Sequence, residues 1–189
     1  TLQIVNNILD FSKIEAGKAT LESKRFNLHR FINKINSIFA GTAQLKKIKL
    51  LVETKGDIDV YVKGDEIRLS QVLINLIGNA FKFTENGTVT LSCHITNNTE
   101  ADFYHIHFSV TDTGIGIKKE NINKIFESFS QADSHTTRKF EGTGLGLSIA
   151  DKILGLMGSS LIVESEFEKG STFWFDVSLA KSSTTPATD

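Results

Sequence analysis

The chain has one cysteine, Cys93, and one proline among 189 residues. A single thiol excludes an internal disulfide and fits a reducing compartment, hence the cytoplasm. The proline falls in residues 182–189, a Ser/Thr-rich end that predicts a linker or disordered tail. Charge of one sign is also lacking: the formal net charge is −1, with basic and acidic residues interspersed. That gives no electrostatic case for nucleic acid or an anionic membrane. No apolar run is long enough to span a bilayer, and no signal peptide is visible. What remains suits one medium domain, or one domain with a short appendage. Thr1 already lies in a helical pattern, which predicts a fragment of something longer.

Residues 65–84 organise the rest. Leu69, Val72, Leu73, Leu76, Ile77 and Ala80 recur at the spacing of a buried helical stripe. Arg68, Gln71, Asn75, Asn79 and Lys82 recur on the opposite face. Asp65 predicts the N-cap, and Gly87 lies just beyond the end. Two asparagines are poor helix formers in a helix interior. Four apart, they project side by side, and their neutral oxygens suit a hard cation such as magnesium. Lys82, one turn on, is placed for a phosphate oxygen. The plain alternative is a solvated polar face.

Helices are predicted over residues 1–16 (Leu2, Val5, Ile8, Leu9 and Phe11 on one stripe), ended by Gly17, and over 28–44 (Phe31, Ile32, Ile35, Ile38 and Phe39 inward). Strands are predicted at 20–22, 48–53 and 60–62. Residues 87–96 and 103–110 alternate with period two and read as a long antiparallel hairpin. A short helix is predicted over 118–125, then a polar loop over 127–142, long enough to be functional or mobile. A helix over 143–157 and a hairpin of 160–166 with 171–179 complete the pattern. The order implies an α/β (α+β) two-layer sandwich, its mixed, mainly antiparallel sheet covered on one face by helices.

Two glycine motifs carry chemistry. Asp112-Thr-Gly114-Ile-Gly116 follows a strand. Its glycines permit positive φ and close approach, and an ionised Asp112 can accept the exocyclic amine of adenine. The alternative is a tight turn. Gly142-Thr143-Gly144-Leu145-Gly146-Leu opens a helix, whose N-terminal amides suit phosphates. It matches neither the P-loop nor the dinucleotide fingerprint, and its alternative is a hinge. Arg138 and Lys139 stand just before it, as phosphate ligands or solvated loop residues.

In order, Asn75/Asn79/Lys82, Asp112-x-Gly114-x-Gly116, Phe126-Glu-Ser-Phe129 and the Gly142–Gly146 run resemble the asparagine, first glycine, phenylalanine and second glycine boxes of sensor histidine kinases. These belong to the GHKL superfamily, with gyrase, heat-shock chaperone and mismatch-repair ATPases. The resemblance covers residues 26–179. Upstream, residues 8–17 (ILDFSKIEAG) resemble the end of the second helix of the dimerisation hairpin in hybrid sensor kinases. The resemblance implies a Bergerat-type ATP-binding fold over 18–181, after a hairpin remnant over 1–17. It implies ATP and Mg2+ as cofactors, with Asn79 and then Asn75 as metal ligands. Lys82, Thr143 and the backbone around Gly144, Leu145 and Gly146 would hold phosphates. Asp112, with Gly114 and Gly116, would hold adenine beside Phe83. Phe126 and Phe129 would anchor a lid, or simply pack in the core.

In the ATPase branches a water-activating Glu stands where this chain has Asn75, which cannot act as a base. Transfer to an external histidine is therefore implied, and no catalytic base is identified. His29, His94, His105, His107 and His135 lack the context of the family's acceptor; His105 and His107 read as structural and the others as solvated. The implied partners are a dimerisation hairpin carrying the acceptor and a receiver domain of a response regulator. The parent would be a homodimer. Glu141 and Ser159 replace glycines common in relatives, and an acidic Glu141 facing the triphosphate would oppose binding. Two alternatives stand beside the kinase: a nucleotide-deficient interaction module of the same fold, and a GHKL ATPase.

Overall fold

The computed structural model describes residues 2–96, 102–128 and 144–183. In chain order these form α1 (Leu2–Glu15), β1 (Lys24–Asn27), α2 (Leu28–Lys46), β2 (Lys49–Lys55), β3 (Tyr61–Gly64), α3 (Glu66–Phe83), β4 (Thr88–Ile95) and β5 (Phe103–Asp112). After two 3₁₀ turns come α4 (Gly146–Leu156), β6 (Ile162–Glu166) and β7 (Gly170–Ser182).

The central helix α3 forms as its pattern dictates. Asp65 caps it: one carboxylate oxygen accepts the Arg68 N–H at 2.9 Å, and the other accepts the Glu22 N–H at 2.9 Å. One side chain thus starts the helix and ties down the segment leading to β1. The stripe from Leu69 to Ala80 is buried, joined by Phe81. At the far end the Lys46 ammonium donates to the Phe81 carbonyl at 2.6 Å, a cation on the last-turn carbonyls.

The sheet runs β1-β3-β7-β5-β4-β2, with β6 also on β7. The long strand β7 makes this possible: its start pairs β6 and its end pairs β3, while β5 runs along it on the other side. The β2–β4 pair is parallel and the rest are antiparallel, so the mixed, mainly antiparallel sandwich holds. Alternation sends Ile106, Phe108 and Val110 of β5, with Phe173, Phe175 and Val177 of β7, into the core shared with α2, α3 and α4. The Phe108 and Phe175 rings stack at 5.2 Å. Truncating such a buried ring costs about 3–5 kcal/mol. The opposite face carries His94, His107 and Asp176 in one cross-strand row. His107 Nδ1 meets Asp176 Oδ1 at 2.8 Å, and His105 Nδ1 meets Ser178 Oγ at 2.6 Å. These two histidines are structural, as their alternation suggests. His94 stacks on His107 at 6.1 Å and so is part of that row rather than merely solvated.

Several local expectations are corrected. The first strand lies at Lys24–Asn27, not 20–22, because Phe26 and Asn27 are the buried residues that pair with β3. Residues 118–125 form two 3₁₀ turns, Lys119–Asn121 and Lys124–Phe126, instead of a helix. Ile122 and Ile125 stand three apart, the spacing at which 3₁₀ side chains eclipse. Ile38 is 48% exposed, off the edge of the stripe made by Phe31, Ile32, Ile35 and Phe39. Strand β7 runs on to Ser182 because its end pairs with Tyr61. Residues 184–189, the core of the expected tail, lie outside the described residues.

Helix α1 divides into two halves. Its last turns dock: Phe11 and Ile14 pack against the core, and Glu15 pairs with Lys152. Asp10 lies 3.4 Å from Arg68 and accepts from Gln71 Nε2 at 3.1 Å, while Arg68 donates to Gln71 Oε1 at 3.0 Å. Two members of the polar face of α3 are therefore committed to α1. In the first turns Leu2, Val5, Ile8 and Leu9 are exposed, so most of the expected stripe is bare.

Candidate nucleotide site

With Arg68 and Gln71 taken, Asn75, Asn79 and Lys82 remain on the polar face. Asn75 Nδ2 donates to the Gly146 carbonyl at 3.1 Å, which fastens α3 to the first turn of α4. That bond uses the nitrogen and leaves the amide oxygen available. Asn79 is half-buried and has no hydrogen-bond partner among the described residues. Lys82 is half-buried, its ammonium 5.1 Å from the Phe83 ring centre. Burial pulls the Lys82 ammonium below its ordinary pKa. A cation that has lost water in this way gains from an anionic partner.

Leu145, at the cap position of helix α4, is fully buried and makes no cap bond through its side chain. Gly144 precedes it with φ +67°. The first-turn N–H groups of Gly146, Leu147 and Ser148 thus have the character of an anion site. Phe126 ends the second 3₁₀ turn and packs against the core. Phe129, Arg138, Lys139, Gly142 and Thr143, with Glu141 and His135, lie outside the described residues.

The Asp112 loop closes the other end. Asp112 ends β5 and is buried. Its Oδ1 accepts the Gly114 N–H at 2.8 Å. Burial pushes its carboxyl pKa up, while the backbone N–H groups of Gly114 and Ser171 pull it back. The Ile115 N–H donates to the Phe83 carbonyl at 3.2 Å, so the loop is bonded to the end of α3. The glycines here have reasons inside the protein. A Cβ on Gly114 would collide with the Phe83 carbonyl, and one on Gly116, at φ +65°, with the Glu166 carbonyl. Close approach of backbone to backbone, not only of ligand to backbone, requires them.

Three residues of this end escaped the sequence reading: Ser165, Gly170 and Ser171. Ser165 Oγ accepts the Ile117 N–H at 2.8 Å and meets Ser171 Oγ at 2.8 Å. A Cβ on Gly170 would collide with the Asp112 carbonyl. A signal was present. Both serines occupy core-facing positions of a hairpin, where alternation from Val163 and Phe173 calls for apolar side chains.

The residues fit a nucleotide with a hard cation in one respect: Asn79 offers a neutral side-chain oxygen with no partner among the described residues, one helical turn from the half-buried Lys82. No cluster of three or more His, Cys, Asp or Glu among the described residues could hold a metal ion. A cation here would therefore rest on amide oxygens and on its nucleotide's phosphates.

A layered sheet under helices, with a polar helix face between a glycine-braced carboxylate and an open helix start, defines a domain of the nucleotide-binding α/β class. Residues 64–181 match the family model for histidine kinase-, DNA gyrase B-, and HSP90-like ATPases. The catalytic domain of histidine kinase ThkA superposes with a TM-score of 0.67 at 30% identity, covering 82% of this chain and 95% of that one. The chain belongs to this ATPase family, among its histidine kinase catalytic domains. It is 40% identical over 180 residues to the signal transduction histidine-protein kinase BarA of Escherichia coli K12, covering 94% of this chain and 19% of BarA. Identity is also 40% to the sensor protein GacS of Pseudomonas syringae pv. syringae, over 95% of this chain and 20% of GacS. The chain thus spans about a fifth of these relatives. Full-length ShkA, solved with AMPPNP, matches with a TM-score of 0.83 and 30% identity, over 97% of this chain and 36% of ShkA.

Proposed function

We propose that this chain is the ATP-binding catalytic part of a hybrid sensor histidine kinase, passing the γ-phosphoryl group of ATP to a histidine on a dimerisation hairpin. An imidazole nitrogen forms the new P–N bond as the bond from Pγ to the ADP oxygen breaks. The observation that carries the reading is Asn75. In the position where the ATPase branches place a water-activating Glu, its amide is bonded to Gly146, and it cannot take a proton from water. Phosphoryl transfer needs mainly positioning and charge neutralisation, and this face supplies both. Asn79 and the Asn75 oxygen would hold Mg2+. Lys82 and the amides of Gly144, Leu145 and Gly146 would hold phosphates, with Gly142, Thr143, Arg138 and Lys139 beside them. Asp112 would hold adenine next to Phe83, and Phe126 and Phe129 would anchor the lid.

Residues 1–17 would be the end of the second hairpin helix in a homodimeric parent, with the cytosol as its compartment. No helix among the described residues is long and apolar enough to cross a membrane. A response-regulator receiver domain is the proposed downstream partner. A similar structure, ThkA, is described in complex with the response regulator protein TrrA.

The test is calorimetry of an ATP analogue with and without magnesium, on the wild type and on Asn79→Ala, followed by phosphoryl transfer to a supplied hairpin. Magnesium-dependent binding that the variant loses, with transfer to the hairpin histidine, supports the reading. Absence of binding makes the chain an interaction module, and sustained phosphate release makes it an ATPase.

A further inference from the structure

We infer that Ser165 is a positioning residue for adenine recognition, its hydroxyl tying the Ile117 end of the 112–117 loop directly to the β6–β7 hairpin and bracing Gly170 and Ser171, which lie against the Asp112 end. The inference rests on the nucleotide site proposed above. A serine hydroxyl has one proton to donate and two lone pairs to accept with. Ser165 uses all three. It donates to the Gly170 carbonyl at 2.9 Å, and it accepts the Ile117 N–H at 2.8 Å. Its one proton being spent on Gly170, the bond to Ser171 Oγ at 2.8 Å must run from Ser171 to Ser165.

Each partner bears on the loop. Ile117 is its exit. Gly170 lies so close to the Asp112 carbonyl that no side chain fits between them. Ser171 is the register partner of Asp112 across β5 and β7. The Glu168 N–H adds a bond to the Ile115 carbonyl at 2.7 Å. A saturated, part-buried network of this kind holds one geometry. What it holds is the direction of a carboxylate that must meet one exocyclic amine, and small misplacements of such groups are costly.

Binding of a non-hydrolysable ATP analogue and of its inosine counterpart, which lacks the exocyclic amine, tests this. The wild type should prefer adenine at least tenfold. Ser165→Ala should weaken the adenine analogue about tenfold and leave the inosine one within about twofold, so that the preference collapses. Ser165→Thr, which keeps the hydroxyl, should restore it. Ser171→Ala, which leaves the Ile117 and Gly170 bonds in place, should lower the preference about threefold, and it serves as the measure where Ser165→Ala does not fold. Equal weakening of both nucleotides, or an unchanged preference, overturns the inference while leaving the nucleotide site standing. Binding of neither nucleotide by the folded wild type overturns the site itself.

Discussion

At Asp112 the polar atoms are buried and bonded to their own protein: the Gly114 N–H holds the carboxylate, and Gly116 and Gly170 bring other backbone against its loop. At Asn79 and Lys82, on the polar face of α3, the groups are half-buried and have no hydrogen-bond partner among the described residues. The first region is organised before any ligand arrives. The second keeps its hydrogen-bonding capacity unspent. Such a division suits a ligand with a rigid flat end, which needs one fixed acceptor, and a flexible charged end, which needs neutralisation. It also separates stability from function. Adding a side chain where backbone packs on backbone in the first region should destabilise the fold, whereas removing side chains from the second should only disable it.

The largest effect should come from Gly116→Ala. A methyl there meets the Glu166 carbonyl, and φ of +65° is strained for any L side chain. A loss of about 3 kcal/mol or more is expected in urea denaturation. A loss under about 1 kcal/mol would show that the braced region is softer than described.

Asp112→Asn should sharpen the contrast by splitting its two consequences. Adenine-nucleotide affinity should fall about a hundredfold, since an amide is neutral and has one accepting oxygen, so its NH2 must turn toward either the amine or the Gly114 N–H. Stability should move the other way. The folded carboxyl pKa lies above the ordinary value of 3.8. The stabilisation from that raised value is present below the ordinary pKa and is lost as pH rises through the folded one. At neutral pH the wild type therefore carries the cost of a buried charge, and the variant should be at least as stable. Parallel denaturation curves at pH 3.5 and pH 7 check the sign; a variant less stable at pH 7 would contradict it.

Asn79→Ala tests the open region. Magnesium-dependent affinity for an ATP analogue should drop about tenfold, with stability within about 0.5 kcal/mol of wild type. A marked loss of stability would mean that Asn79 has a structural duty after all. Asn75→Ala should give the smallest stability change with a structural cause, about 1 kcal/mol from the lost bond to Gly146. If it weakens ATP binding beyond that, the start of α4 depends on this bond for its position.

Helices and hairpins with long periodic patterns were legible because periodicity is local. The stripe of α3, its Asp65 cap and the β4–β5 hairpin each follow from neighbouring residues alone. The short pieces were not. Strand β1 exists because β3 lies beside it, and residues 118–125 carry too few apolar side chains to decide between helix and turn. In the candidate site, Asp112, the asparagines and the glycines stand out by residue type and spacing. The serines do not, since a lone Ser in a strand has no distinctive chemistry until its neighbours are known.

The sequence by itself determined the class of fold, the polar face of α3 and the order of the motifs, because side-chain periodicity and glycine spacing are written along one dimension. Only the tertiary structure decided which polar groups are already spent. Arg68 and Gln71 go to Asp10, Asn75 goes to Gly146, and Ser165 gathers Ile117, Gly170 and Ser171. Hydrogen bonds act over about 3 Å in space whatever the separation along the chain. Availability for a ligand is therefore a property of the folded neighbourhood.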